Sequence, residues 1–196
     1  MLYPRVTKDG QPVSDDQLVN AAEHLWATRR VVFLTGAIRG SEVLDMLMAL
    51  DSLSSEPIKM VITSPGGELD STFLLYDTIR LMKSPVLTLG RYCASAAVLI
   101  LAAGQKRYLM PHAKVVLHLP FGQAGGDARD WEIQHKQMAT YKEGMVAILQ
   151  ECGVKRTASV ILSDIDRDFW LEPQEAIDYG LADKVMDKRT MKGWLG

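Results

Sequence analysis

The chain has 196 residues, 47% of them hydrophobic and 23% charged, with a formal net charge of −2. Such a length suits one large domain, or a domain with an appendage, and buries a sizeable core. A charge balance so near zero leaves no electrostatic footprint for nucleic acid or an anionic membrane. Two distant cysteines, Cys93 and Cys152, make neither a disulfide framework nor a metal-type spacing, and a reducing cytoplasm is the expected compartment.

The first residues, "MLYPRVTKDGQPVSDDQ", carry no apolar signal core, so secretion is not expected. "SDDQLVNAAEHLWATRR" reads as a helix with Ser14 as its cap and Asp15 and Asp16 in its first turn. "VVFLTG" is a buried strand, "SEVLDMLMALDSL" a helix and "IKMVIT" a second strand. "SPGGELDSTFLLYDTIRLMK" is a tight turn entering a helix, and "PVLTLG" is a third strand. The run from Ser95, "SAAVLILAAG", is too short to span a bilayer and reads as a buried helix. "KRYLM" and "KVVLHL" follow as strands. From Asp127 a long helix opens, with Trp131, Met138, Tyr141, Met145 and Leu149 at helical spacing. It either covers the core or projects toward a partner subunit. A short helix, a charged loop, another helix and a small strand complete the order. Strand alternating with helix implies an α/β fold with a largely parallel sheet, whose ligands bind beyond the carboxyl ends of the strands.

Acyl transfer by a serine needs a nucleophile, a base, a group that orients the base, and amide donors for the oxyanion. Ser95 stands at a strand-to-helix junction, where its hydroxyl can cap the helix or attack a substrate. Among four histidines, His24 and His135 fall in polar helices and His112 in a turn, whereas His118 closes an apolar strand before a glycine-rich loop. A histidine at a strand end is structural or catalytic; position alone leaves both open. The "SPGG" turn adds a glycine segment able to aim an amide at a carbonyl.

The order "VVFLTG", "SPGG", "AS" before a helix ending in "AAG", "KRYLMP", "VVLHLP", "GGDARDWEIQHK" and "DRDFWLEPQEAIDYGLADKV" resembles the proteolytic subunit of the Clp protease family. The resemblance runs from about Val31 to Met186 and is tightest in "EAIDYGLADKV". It implies a fold of stacked ββα units, shared with crotonases, and a projecting handle helix. The chain then divides into an N-terminal segment and first helix (1–30), a peptidase domain (31–186, handle at about 119–151) and a C-terminal tail (187–196). By position the resemblance makes Ser95 the nucleophile, His118 the base and Asp168 the orienting acid, with Asp164 and Asp166 as alternatives for the acid. It implies oxyanion donors at the amides of Gly67 and Ala96. It also implies peptide binding along Gly66, Gly67, Pro120, Phe121 and Gly122, and ring–ring contacts through Asp166 and Arg167. No metal or organic cofactor is called for. The partners implied are copies of the same chain in stacked heptameric rings, a ClpP-like paralogue, an AAA+ unfoldase and peptide substrates.

The chain departs from the family pattern in "GRYCAS", where Gly90 lies five residues before Ser95 and one residue fewer separates Thr88 from Ser95. Lys59 and Val61 stand where the family presents tyrosines to its ATPase. The principal expectation is a serine endopeptidase subunit of a ring-shaped protease. A weakly active or inactive subunit modulating a mixed ring is the alternative. A crotonase-fold enzyme acting on a coenzyme A thioester ranks last.

Overall fold

Four strands organise the molecule: β1 (Val31–Thr35), β2 (Ile58–Ser64), β3 (Val86–Ala94) and β4 (Lys106–Leu117). They pair in parallel in that order, so each connection must cross over, and helices α2 (Glu42–Leu53), α3 (Leu69–Leu81) and α4 (Ala97–Ala103) make the crossings. The structure, a computed structural model, describes residues 21–122 and 125–195. The expected cap at Ser14 and first turn at Asp15 and Asp16 lie outside the described residues; the helix itself is described as α1 (Ala21–Arg29).

Beyond β4 come α5 (Ala128–Glu151), α6 (Ala158–Asp164), β5 (Phe169–Leu171), α7 (Pro173–Tyr179), β6 (Lys184–Val185) and α8 (Lys188–Leu195). β5 pairs antiparallel to the far side of β4, and β6 adds in parallel along β4. All seven residues of α4 are buried against the sheet, which explains its unbroken apolar composition. No helix among the described residues is long and apolar enough to cross a membrane.

Two sequence expectations change along the central strands. β3 does not end at Gly90 but runs on to Ala94, because an extra residue is absorbed as a bulge. Ile62 pairs with Gly90 and Thr63 with Tyr92, which leaves Arg91 unpaired and turns both Arg91 and Tyr92 outward before Cys93 and Ala94 are buried. A side chain at Gly90 would meet Leu109 Cδ2 at 2.8 Å and the Cys93 sulfur at 2.9 Å, so the glycine is a packing requirement. Likewise "KRYLM" and "KVVL" are one strand, irregular between Leu109 and Lys114, not two.

The C-terminal residues expected as a tail instead form α8, whose Trp194 is 5% exposed. Trp194 and Met191 pack with Val31, Val61 and Leu89 in a second apolar cluster, apart from the main core. Val61 is therefore buried. Lys59, beside it, is half-buried, and burial, with the charge of Arg29 adding, holds its ammonium below the usual lysine range.

α5 is divided in its environment. Its C-terminal half buries Met145, Val146 and Leu149 in the core, while Trp131 (56% exposed) and Ile133 (67%) stand out on the other half. Its start is set at Asp127 by a reciprocal capping box with Asp130. The helix thus covers the core with one half and leaves the other exposed.

Arg107 ties the later elements to β4. Its Nη1 donates to the carbonyls of Cys152 and Gly180, both at 2.7 Å, and Nε and Nη2 donate to Asp183 Oδ1 at 3.1 and 2.5 Å. Its side chain is largely buried, so Arg107→Ala orphans two carbonyls and leaves the Asp183 carboxylate only the Arg107 backbone N–H, at 2.8 Å. The variant is expected to lose about 2–4 kcal/mol of stability, read from urea unfolding.

Candidate active site

Ser95 sits between β3 and α4 with φ of +55°, one of two non-glycine residues in the left-handed region among the described residues. Such a backbone costs about 1–2 kcal/mol for a residue with a side chain and persists only where its surroundings hold it. Here Ser95 N–H donates to Val116 O at 2.7 Å, locking the turn to the neighbouring strand. The helix cap is Ala96, with no side-chain capping bond, and the Ser95 hydroxyl has no hydrogen-bond partner among the described residues. Capping is thus not what this serine does. A strand, a strained turn and a helix present its Oγ at the carboxyl end of the sheet.

The "SPGG" turn presses against that serine. Gly66 has φ of +94°, and a Cβ there would lie 2.7 Å from both Ser95 Cβ and Ala94 O. Gly67 is paired with Ile38: Ile38 N–H donates to Gly66 O at 2.8 Å, and Glu68 N–H donates to Ile38 O at 3.0 Å. This pattern turns the Gly67 N–H away from Ile38. Neither Gly67 N–H nor Ala96 N–H has a main-chain partner among the described residues. Two amides flanking the serine are therefore available to an external acceptor.

His118 follows the last residue of β4. Its Nδ1 lies 2.7 Å from Leu119 O. A carbonyl only accepts, so Nδ1 carries the hydrogen and Nε2 keeps its lone pair, the tautomer a general base for a serine requires. The ring packs against Phe121 in a tilted arrangement, with centroids 5.2 Å apart and planes at 38°. Ser95, His118, Gly66, Gly67, Pro120 and Phe121 line one cleft of about 530 Å³. Gly122 lies beside it, where a Cβ would sit 3.2 Å from the tip of Met138. Met138, Tyr141 and Met145 of α5 also line the cleft, with Ala37 and Arg39 of the loop after β1. Sequence periodicity marks those three α5 residues as one helix face but does not assign them to the site.

The acidic candidates separate by partner. Asp164 accepts from the Tyr179 hydroxyl at 2.9 Å, and Asp166 pairs with its neighbour Arg167 at 3.1 Å. Asp168 is exposed and makes no hydrogen bond or ion pair with His118; Leu119 O takes the Nδ1 hydrogen instead. Its placement is nevertheless specific. β4 and β5 pair Val115 with Leu171, Val116 with Trp170 and Leu117 with Phe169. Asp168 and His118 are the next residues beyond the last pair of that ladder, each just outside its strand. The ladder stops just short, where Leu119 N–H donates to Ile165 O at 3.0 Å.

Against known proteins, the sequence profile described as Clp protease matches residues 14–189. The chain is 34% identical over 194 residues to the ATP-dependent Clp protease proteolytic subunit 1 of Rhodopirellula baltica, covering 88% of this chain and 85% of that one. It is 37% identical over 163 residues to the proteolytic subunit 2 of Pseudomonas aeruginosa, covering 80% and 81%. It is 38% identical over 165 residues to the chloroplastic proteolytic subunit 4 of Arabidopsis thaliana, covering 81% of this chain and 56% of that longer protein.

Proposed function

The chain belongs to the Clp protease family, and from that premise we propose that it is a catalytically competent serine endopeptidase subunit. The observation that carries the reading is the strained, uncapped Ser95, in one cleft with a histidine of the correct tautomer. An extended peptide lies along Gly66–Gly67 and Pro120–Gly122 as an added strand, held mostly by its backbone. His118 Nε2 takes the Ser95 proton as Oγ attacks the peptide carbonyl. The amides of Gly67 and Ala96 receive the oxyanion, and the imidazolium then protonates the leaving amine. Water, activated by the same imidazole, hydrolyses the acyl-enzyme. Asp168 turns onto His118 Nδ1–H in the engaged state, displacing the Leu119 carbonyl. No metal or organic cofactor enters these steps.

Labelling of the purified protein with a fluorophosphonate, followed by peptide mapping, tests the reading. The expected adduct is on Ser95. An assembled protein that stays unlabelled where a known serine peptidase reacts would instead be the inactive partner of a mixed ring.

The same reading has the protein working in the cytoplasm as stacked heptameric rings, fed folded substrates by an AAA+ unfoldase, alone or with a paralogue. The handle projects its exposed Trp131 and Ile133 toward the opposite ring. Within the protomer the Asp166–Arg167 pair is highly exposed and contributes little. Arg167→Ala is therefore expected to leave thermal unfolding of the protomer unchanged while shifting double rings toward single rings. Sedimentation velocity reads that shift, and an unchanged double ring would count against Arg167 as a ring–ring contact.

A further inference from the structure

We propose that Ser64 is a positioning residue that sets the direction of the Gly67 oxyanion amide; the proposal deepens the peptidase reading and rests on it. Ser64 is the last residue of β2 and is 0% exposed. In register it faces Cys93, two residues before the nucleophile. Its Oγ accepts the Gly66 N–H at 3.1 Å. Three hydrogen bonds thereby define the turn: Gly66 N–H to Ser64 Oγ, Ile38 N–H to Gly66 O, and Glu68 N–H to Ile38 O. Of the amides at 66, 67 and 68, only that of Gly67 is left to face the cleft.

Two adjacent glycines make this bond decisive. Backbone rotation at Gly66 and Gly67 meets little internal steric resistance, so hydrogen bonds, more than side-chain bulk, hold the peptide plane between them. Ile38 holds that plane through Gly66 O, and Ser64 holds the preceding Pro65–Gly66 plane through the Gly66 N–H. Without the Ser64 hydroxyl, the Gly66 N–H is left buried and unpaired beside Ser95. The turn then relaxes by rotating toward another acceptor, and the Gly67 N–H moves with it. An oxyanion donor acts through distance and angle, so a small rotation costs more in the transition state than in ground-state binding of the peptide along the same turn.

The test compares wild type with Ser64→Ala and Ser64→Thr, using a peptide substrate and a peptidyl boronate that forms a tetrahedral adduct on the nucleophile. In Ser64→Ala, kcat is expected to fall about 10- to 100-fold, with a smaller rise in KM because the same turn also pairs with the peptide. Boronate affinity should fall by the same factor as kcat/KM. Ser64→Thr keeps the hydroxyl and should recover most of both. A merely structural role would lower melting temperature without coupling boronate affinity to kcat. Should Ser64→Ala fail to fold, Ser64→Cys, similar in volume but a weak acceptor, carries the same comparison. A folded Ser64→Ala or Ser64→Cys protein within twofold of wild type in both measurements overturns the proposal, as does an equal loss in Ser64→Thr. A wild type that neither cleaves peptides nor binds the boronate overturns the peptidase reading itself, and the proposal with it.

Discussion

Ser95→Ala is expected to abolish fluorophosphonate labelling and to lower peptide hydrolysis by about 10⁴- to 10⁶-fold, and His118→Ala to lower hydrolysis as far. The two losses should match, because a hydroxyl with no base is a poor nucleophile at neutral pH and a base with no hydroxyl has nothing to activate. They should not add in the double variant. The Ser95 hydroxyl makes no hydrogen bond within the fold among the described residues, so its removal costs no structural contact. It also leaves a β-carbon in the same left-handed conformation, so the strain of the turn remains. Ser95→Ala should therefore unfold at the same temperature as wild type. Ser95→Gly should unfold slightly higher, because glycine adopts that backbone without penalty. A Ser95→Ala protein that still hydrolyses peptide at more than a few per cent of the wild-type rate would remove Ser95 from the mechanism.

Asp168→Ala is expected to lower kcat by about 10³- to 10⁴-fold, the loss typical of an imidazole deprived of its orienting carboxylate. The expectation is sharp because Leu119 O already takes the Nδ1 hydrogen. A neutral carbonyl fixes the tautomer but does little for the imidazolium that forms as Ser95 loses its proton, whereas a carboxylate stabilises it by a charge-assisted bond. If the carbonyl suffices, Asp168→Ala will stay within about threefold of wild type, and the dyad acts without an acid. Asp168→Asn separates the two contributions. It can orient the ring but cannot balance its charge, and it should fall nearly as far as alanine. Asp164→Ala serves as the control: its partner is Tyr179, so it should affect stability more than rate.

The order of elements and the candidate residues at their ends were open to sequence reading because both are local. Short apolar runs bounded by turn residues make strands, and a 3.6-residue period makes helices. A serine before "AAVLILAA" or a histidine after "KVVL" is placed at an element's end by composition alone. Asp127 as the start of α5 follows from cap chemistry in the same way. The resemblance to the Clp protease family was legible for the related reason that it lies in contiguous stretches.

What the sequence by itself determined is therefore which segments form strands and helices, and which serine and histidine stand at their ends. Tertiary structure alone decided how those ends meet. The left-handed turn at Ser95 depends on Val116 accepting its amide, and the free direction of the Gly67 amide depends on Ile38, nearly thirty residues earlier. Asp168, one residue before β5, is carried to the His118 end of β4 only by the register of β5 on that strand. The Arg91 bulge comes from where β3 must pair with β2, and the cover over Val61 comes from α8 folding back across the sheet. In each case the deciding contact joins residues far apart in the chain. Pairing register and packing are properties of two elements together, and neither element's own sequence contains them.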